Sequence, residues 1–190
     1  MTELAALCRA YAYNRWANKR LCAELEALCG RARATGASGS GAVPDCCVEA
    51  ASHLGHLLVV EKIWMERLRG VRYEVDELYP VWTAAHCEDM AEMLGDLWPK
   101  QINKLAPRID QPIMYPGKSD DEMREASPRT MLCHVLQHST KHRTLICDLV
   151  RRAGYTPPAI DFLDFEEECG PPPRSRRPRQ PAAATSEAGW

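Results

Sequence analysis

Apolar residues recur every three or four positions over four long stretches of the chain. In the first, about residues 3–29, Leu4, Leu7, Tyr11, Asn14, Asn18, Leu21, Leu25 and Leu28 keep this spacing, which places them on one face of a helix. The segment is rich in Ala, Leu, Arg and Glu, all good helix formers. The run "GRARATGASGSGAVPD" then breaks the pattern. A second helix is predicted from Asp45, an N-cap directly after Pro44, to Arg69, with Gly70 as the residue that ends it. Residues 71–81, "VRYEVDELYPV", form a connection closed by Pro80. A third helix is predicted over about Thr83–Leu105, with Pro99 inside it to kink or restart it. Across "RIDQPIMYPGKSDDEMREAS" (108–127) the periodicity lapses and Pro116-Gly117 reads as a turn. An irregular connection or a small β-hairpin is expected there. A fourth helix starts at Ser127-Pro128, cap followed by proline, and runs to about Ala153 before Gly154.

Four amphipathic helices with one long crossover predict an all-α fold, a four-helix bundle over residues 1–165. Residues 166–190, "EEECGPPPRSRRPRQPAAATSEAGW", hold little to bury and are expected to be a disordered Pro/Arg-rich tail. Its arginines, Arg174, Arg176, Arg177 and Arg179, read as solvated. The "TGASGSG" run has the look of a nucleotide-binding turn. Such a turn needs a strand before it and a helix directly after, whereas here a helix precedes and Pro44 follows, so a flexible loop is expected.

Composition narrows the function classes. With 24 basic and 26 acidic residues among 190, the net charge is −2. That balance gives no reason to expect a nucleic acid or an anionic membrane as partner. No apolar stretch approaches the ~18 residues of a membrane span. The N-terminus lacks a basic segment followed by an apolar run, so no signal peptide is expected. Nine cysteines, an odd number with no C-x-x-C, argue against a secreted disulfide framework and for a reducing cytoplasm. The adjacent pair Cys46-Cys47 stands out, because two neighbouring thiols can chelate a metal or oxidise.

The chemistry concentrates in "HVLQHSTKHRTLI" (134–146), which holds three of the six histidines at four-residue spacing. A helix rises about 1.5 Å per residue, so His134 and His142 start roughly 12 Å apart and cannot share one ion. An i, i+4 pair can. Leu132, Val135, Ile146, Leu149 and Ala153 mark the apolar stripe. At about 100° per residue His142 falls near its centre, His138 roughly 60° aside and His134 roughly 100° away. His138 and His142 therefore aim inward, and His134 toward the flank or solvent. Two inward histidines at this spacing fit a metal site and a hydrogen-bonded core pair about equally. A catalytic site wants a third ligand, for which His53 and His56 on the second helix are candidates that phase does not separate, with His86 an outsider. The frame His138-Ser-Thr-Lys-His142 lacks the glutamate of H-E-x-x-H, which disfavours a zincin protease.

Four blocks, "YNRWANKRL" (13–21), "HLLVVEKIWMERL" (56–68), "HVLQHSTKHR" (134–143) and "RRAGYTPPAIDFLDF" (151–165), resemble the signature blocks of the DinB/YfiT family. The resemblance implies a four-helix bundle, often a homodimer, that holds a divalent metal through three histidines. One lies eight positions before a tryptophan, which is His56 before Trp64. The others precede an arginine and are His138 and His142. Activities in the wider superfamily imply a thiol-dependent transferase or a hydrolase acting on a small molecule, with a low-molecular-weight thiol as co-substrate and zinc or nickel as the ion. The alternative is a non-catalytic, stress-related metal-binding bundle. Where the family often continues "HRGQI", this chain reads "HRTLI", with Thr144 and Leu145, so a polar group that can face substrate is lost. Glu61 is turned away from the ligand face by its spacing from His56. Glu61 and Asp148 are expected at the surface, with a carboxylate behind an imidazole as the alternative. Arg143 is expected either to pair with a substrate carboxylate or to form a salt bridge at the bundle edge.

Overall fold

The computed structural model describes residues 2–34, 45–117 and 122–170. The glycine-rich break expected over 30–45 is helical as far as Ala34, where α1 ends; the rest of it, 35–44, lies outside the described residues, as do the hairpin turn at 118–121 and the tail from 171 on. Within the described residues the order is α1 (Glu3–Ala34), α2 (Asp45–Leu68), α3 (Ala84–Leu105), β1 (Ile113–Pro116), β2 (Met123–Ala126), α4 (Pro128–Arg152) and α5 (Phe162–Cys169). A single 3₁₀ turn, Ala106–Arg108, follows α3.

The helix ends follow local chemistry. Thr83 accepts from the His86 amide at 3.2 Å to start α3, and Ser127 accepts from the Thr130 amide at 3.2 Å to start α4, with Pro128 just inside. Helices α2 and α4 stop in the same way. Gly70 and Gly154 take φ of 77° and 82°. The amide of Val71 then reaches the Glu66 carbonyl and that of Tyr155 the Val150 carbonyl, satisfying carbonyls the helix leaves open. Pro99 lies within α3 without dividing it, so the expected restart does not occur. Trp98 and Ile102 on either side of it are fully buried and hold the helix in line.

Between α3 and α4 the hairpin forms, with Ile113 opposite Ala126 and Tyr115 opposite Arg124. The long helices pack chiefly as α1 on α3 and α2 on α4. Their shared core includes Leu21, Leu57, Leu58, Trp98, Ile102, Leu132, Val135 and Ile146. Helix α5 carries structured chain past residue 165, where the bundle was expected to end. Phe165 is buried against Tyr13 and Trp16. Glu166 pairs with Arg9 at 2.7 Å, and Glu168 accepts from Trp16 Nε1 at 3.0 Å and pairs with Arg20. The charged run that reads as tail is thus what fastens α5 to α1.

Candidate metal centre

Two polar clusters lie inside the bundle, and both draw on α2 and α4. The first centres on Glu61. Its side chain is not at the surface, as the sequence suggested, but 2% exposed. The physical reason is that α2 is covered on more than one side. Turning away from the ligand face aims Glu61 at α1 and α3 rather than at water. Oε1 accepts from Asn14 Nδ2 at 2.7 Å, Asn18 Nδ2 at 2.9 Å and Ser139 Oγ at 3.1 Å. Oε2 accepts from Trp98 Nε1 at 3.0 Å. The same two asparagines turn their carbonyl oxygens to Arg143, whose Nη1 donates at 2.5 Å and 3.0 Å. Arg143 is 2% exposed, so it neither meets a substrate carboxylate nor bridges the bundle edge. It neutralises Glu61 through two intervening carboxamides. Asp148 does sit toward the surface, paired with Arg152 at 2.6 Å.

The second cluster is the histidines. His56 and His142 are buried and His138 half-buried, and one ligand nitrogen from each lies within 4.8 Å of the other two. Ring centroids are 4.5 Å apart for His138–His142, 4.6 Å for His56–His142 and 5.2 Å for His56–His138. His134 is exposed, its ring 4.8 Å from Trp64. His86 is exposed at the first turn of α3, against Trp82. His53 stays beside the trio, with its Nδ1 3.2 Å from His142 Nδ1.

The connection between α2 and α3 acts as a strap over the second helix. His56 Nδ1 lies 2.7 Å from the Leu78 carbonyl. A carbonyl only accepts, so Nδ1 carries the proton and Nε2 keeps its lone pair. Tyr79 stacks on the His56 ring at 3.9 Å, nearly parallel. Ser52 Oγ donates to the Tyr79 carbonyl at 3.0 Å. Gly55 makes this approach possible, since a Cβ there would lie 2.2 Å from the Pro80 carbonyl oxygen.

Electrostatics favour neutral imidazoles. Burial, reinforced by the neighbouring rings, pushes His138 down to about 4 and His142 down to about 3. Burial also lowers His56. Each ring therefore keeps a lone pair at neutral pH. His138 Nδ1 is buried with no hydrogen-bond partner among the described residues, a condition that costs about 1–3 kcal/mol. Tetrahedral ligands about 2.0–2.1 Å from one ion lie roughly 3.4 Å apart, so side-chain movements on the order of an ångström would close the trio on a metal. All-nitrogen ligation suits borderline divalent ions. The donor set thus fits a metal, and the three histidines can hold one. Thr144 and Leu145, where the chain departs from "HRGQI", are exposed on α4.

With this geometry in place, the family is settled by comparison. The DinB family model matches residues 1–175, and the chain belongs to the DinB family. No curated protein and no solved structure matches the chain. No helix among the described residues is long and apolar enough to cross a membrane.

Proposed function

We propose that the protein is a cytoplasmic, homodimeric, metal-dependent enzyme that uses His56, His138 and His142 to hold a divalent ion, zinc or nickel. The reaction is a thiol-dependent transfer or a hydrolysis on a small molecule. The observation that carries this reading is the convergence of three neutral imidazoles, one of them fixed in a single tautomer by the Leu78 carbonyl. A divalent ion held there acidifies water or a thiol, so that a nucleophile exists at neutral pH. The chain's own residues do the rest. His56 presents Nε2 because its Nδ1 proton is committed to Leu78. Tyr79 covers one face of His56 and turns its edge to His53. The Glu61–Arg143 cluster locks α2 and α4 in the rotation that brings their histidines together.

The second reading, a non-catalytic metal-binding bundle, is favoured by the placement of a cleft of about 210 Å³. Leu68, Arg69, Gln101 and Lys104 help line it, and it sits roughly 18 Å along α2 from His56. Elemental analysis of untagged protein tests the site, with about one ion per chain expected. Protein that holds no metal, or metal content unchanged in His56→Ala, His138→Ala and His142→Ala, sinks the assignment. Adding a small thiol to cobalt-loaded protein separates the two readings. A sulfur-to-cobalt absorption band is expected for the enzyme, and an unperturbed spectrum favours the closed, non-catalytic site.

A further inference from the structure

The row of rings that forms the candidate metal centre continues past it. His134 lies one turn of α4 before His138, with ring centroids 6.2 Å apart. Trp64 of α2 lies 4.8 Å from His134, and Tyr115 of β1 lies 5.5 Å from Trp64. Arg67 closes the row, its guanidinium 4.8 Å over the Trp64 ring and 5.9 Å from the Tyr115 ring. A long side chain on a helix leans toward the helix N-terminus, so Arg67 reaches back along α2 toward the histidines. Its guanidinium stands about two helical turns, on the order of 10 Å, from His138.

Arg67 differs from its neighbours in how its charge is met. Lys62 and Arg69, on the same stretch of chain, both pair with Glu66. Arg67 is half-buried, yet no carboxylate lies within ion-pair distance of it among the described residues. Its Nη2 donates to the Gly117 carbonyl at 3.2 Å. Nε and Nη1 have no partner among the described residues and stay within reach of water. Glu122, a carboxylate close enough to act on it, is paired with Arg124. Burial, with Arg124 and Arg72 adding to it, lowers the Arg67 guanidinium from its usual value. The place is short of negative charge.

The histidine trio meets solvent toward this row. On the other side the strap covers it, with Tyr79 stacked on His56. His56 and His142 are buried, whereas His138, the member beside His134, is half-buried. A molecule held at the trio therefore extends over His134 and Trp64, and its far end meets Arg67. A guanidinium binds a carboxylate through two parallel N–H donors, and a single cation without a partner suits a single negative charge. The rings between suit an apolar chain. We infer that Arg67 binds the carboxylate of a small-molecule substrate whose reacting group sits at His56, His138 and His142, with His134 and Trp64 beneath the span between. This rests on the enzymatic reading above and names its substrate class, a carboxylate about 10 Å from the reacting group. The carboxylate role that the sequence offered to Arg143 falls to Arg67.

The probes are mercaptohexanoate and its neutral counterpart mercaptohexanol, which share a thiol and a chain of the required length. Calorimetry on the full chain supplied with cobalt gives the affinity of each. The sulfur-to-cobalt band reports separately whether the thiol meets the metal. The carboxylate should bind at least about tenfold more tightly than the alcohol, as a charge-assisted pair allows. Arg67→Gln should erase that preference and leave the affinity for mercaptohexanol unchanged. Arg67→Met, which keeps an apolar stem over Trp64, serves where Arg67→Gln fails to fold. Arg67→Lys keeps the charge without the fork and should retain part of the preference. No preference in wild type, including the case in which neither probe binds, overturns the inference, as does a preference that survives the loss of the guanidinium. A preference that depends on Arg67 but comes without a cobalt band keeps the carboxylate site and sinks the metal-centred reading instead.

Discussion

The Glu61 cluster and the histidine cluster share helices α2 and α4, yet they are completed differently. Around Glu61, four donors from α1, α3 and α4 meet one carboxylate, and Arg143 supplies the opposite charge through Asn14 and Asn18. The carboxylate has a donor at each oxygen. Around His56, His138 and His142, the rings crowd together, their pKa values fall and His138 Nδ1 has no partner. A saturated polar cluster fixes structure. An unsaturated one keeps capacity for a ligand, and the bundle carries the cost of the unpaired nitrogen.

The strongest way to break this contrast is to remove the carboxylate. Glu61→Ala strands Arg143 and two asparagines in the core. It should cost about 3–5 kcal/mol, read from urea unfolding of metal-free protein. His138→Ala removes an imidazole already missing a partner and should stay within about 1 kcal/mol in the same assay. Equal losses in the two variants would erase the distinction. With metal present the order of consequence reverses. Wild type should gain about 2.7 kcal/mol when free metal stands at a hundred times its Kd, and His138→Ala should gain nothing measurable by thermal melting.

A milder perturbation addresses the strap. Gly55→Ala pushes against the Pro80 carbonyl and should lift Leu78 from His56 Nδ1. Metal affinity should fall about 10–100-fold, the range for losing a partner that orients a ligand. Competition with a chromophoric chelator measures it. Unchanged affinity would mean that His56 needs no help from the strap.

A last perturbation is pH, applied to metal-free protein. His138 and His142 have folded pKa values of about 4 and about 3, below the usual 6.5. The unfolded chain therefore binds more protons between these values. Stability from this source is fully present above pH about 6.5 and is lost as pH falls through 4 toward 3. Chemical unfolding at several pH values should show this slope, and His138→Ala should flatten part of it. A slope of the opposite sign would contradict the buried, neutral assignment.

Much of the fold was legible because helix periodicity, caps and terminal glycines are local signals. Gly70, Gly154, Ser127 and Thr83 each act at or beside the position where the pattern points. The inward phase of His138 and His142 was legible for the same reason. Glu61 and Arg143 were misread because an isolated charge defaults to the surface, and their partners on other helices lie 37 to 129 residues away along the chain. A hint was present in Asn14 and Asn18, two amides within an otherwise apolar face. The support for His56 left no trace, since it comes from the backbone carbonyl of Leu78, which any side chain at that position would provide. Helix α5 was missed because its acidic residues look like solvated tail until Arg9, Arg20 and Trp16 are placed beside them.

The joining of distant segments around Glu61 also has a consequence for the order of events at the ribosome. The first three helices emerge with Glu61 lacking Ser139 and Arg143, and with only one of the three imidazoles of the proposed metal site. Neither cluster can be completed until α4 has been made. Loading of the proposed metal site is therefore a late step by construction, and a nascent chain that stalls before residue 138 offers an ion only His56 of the trio.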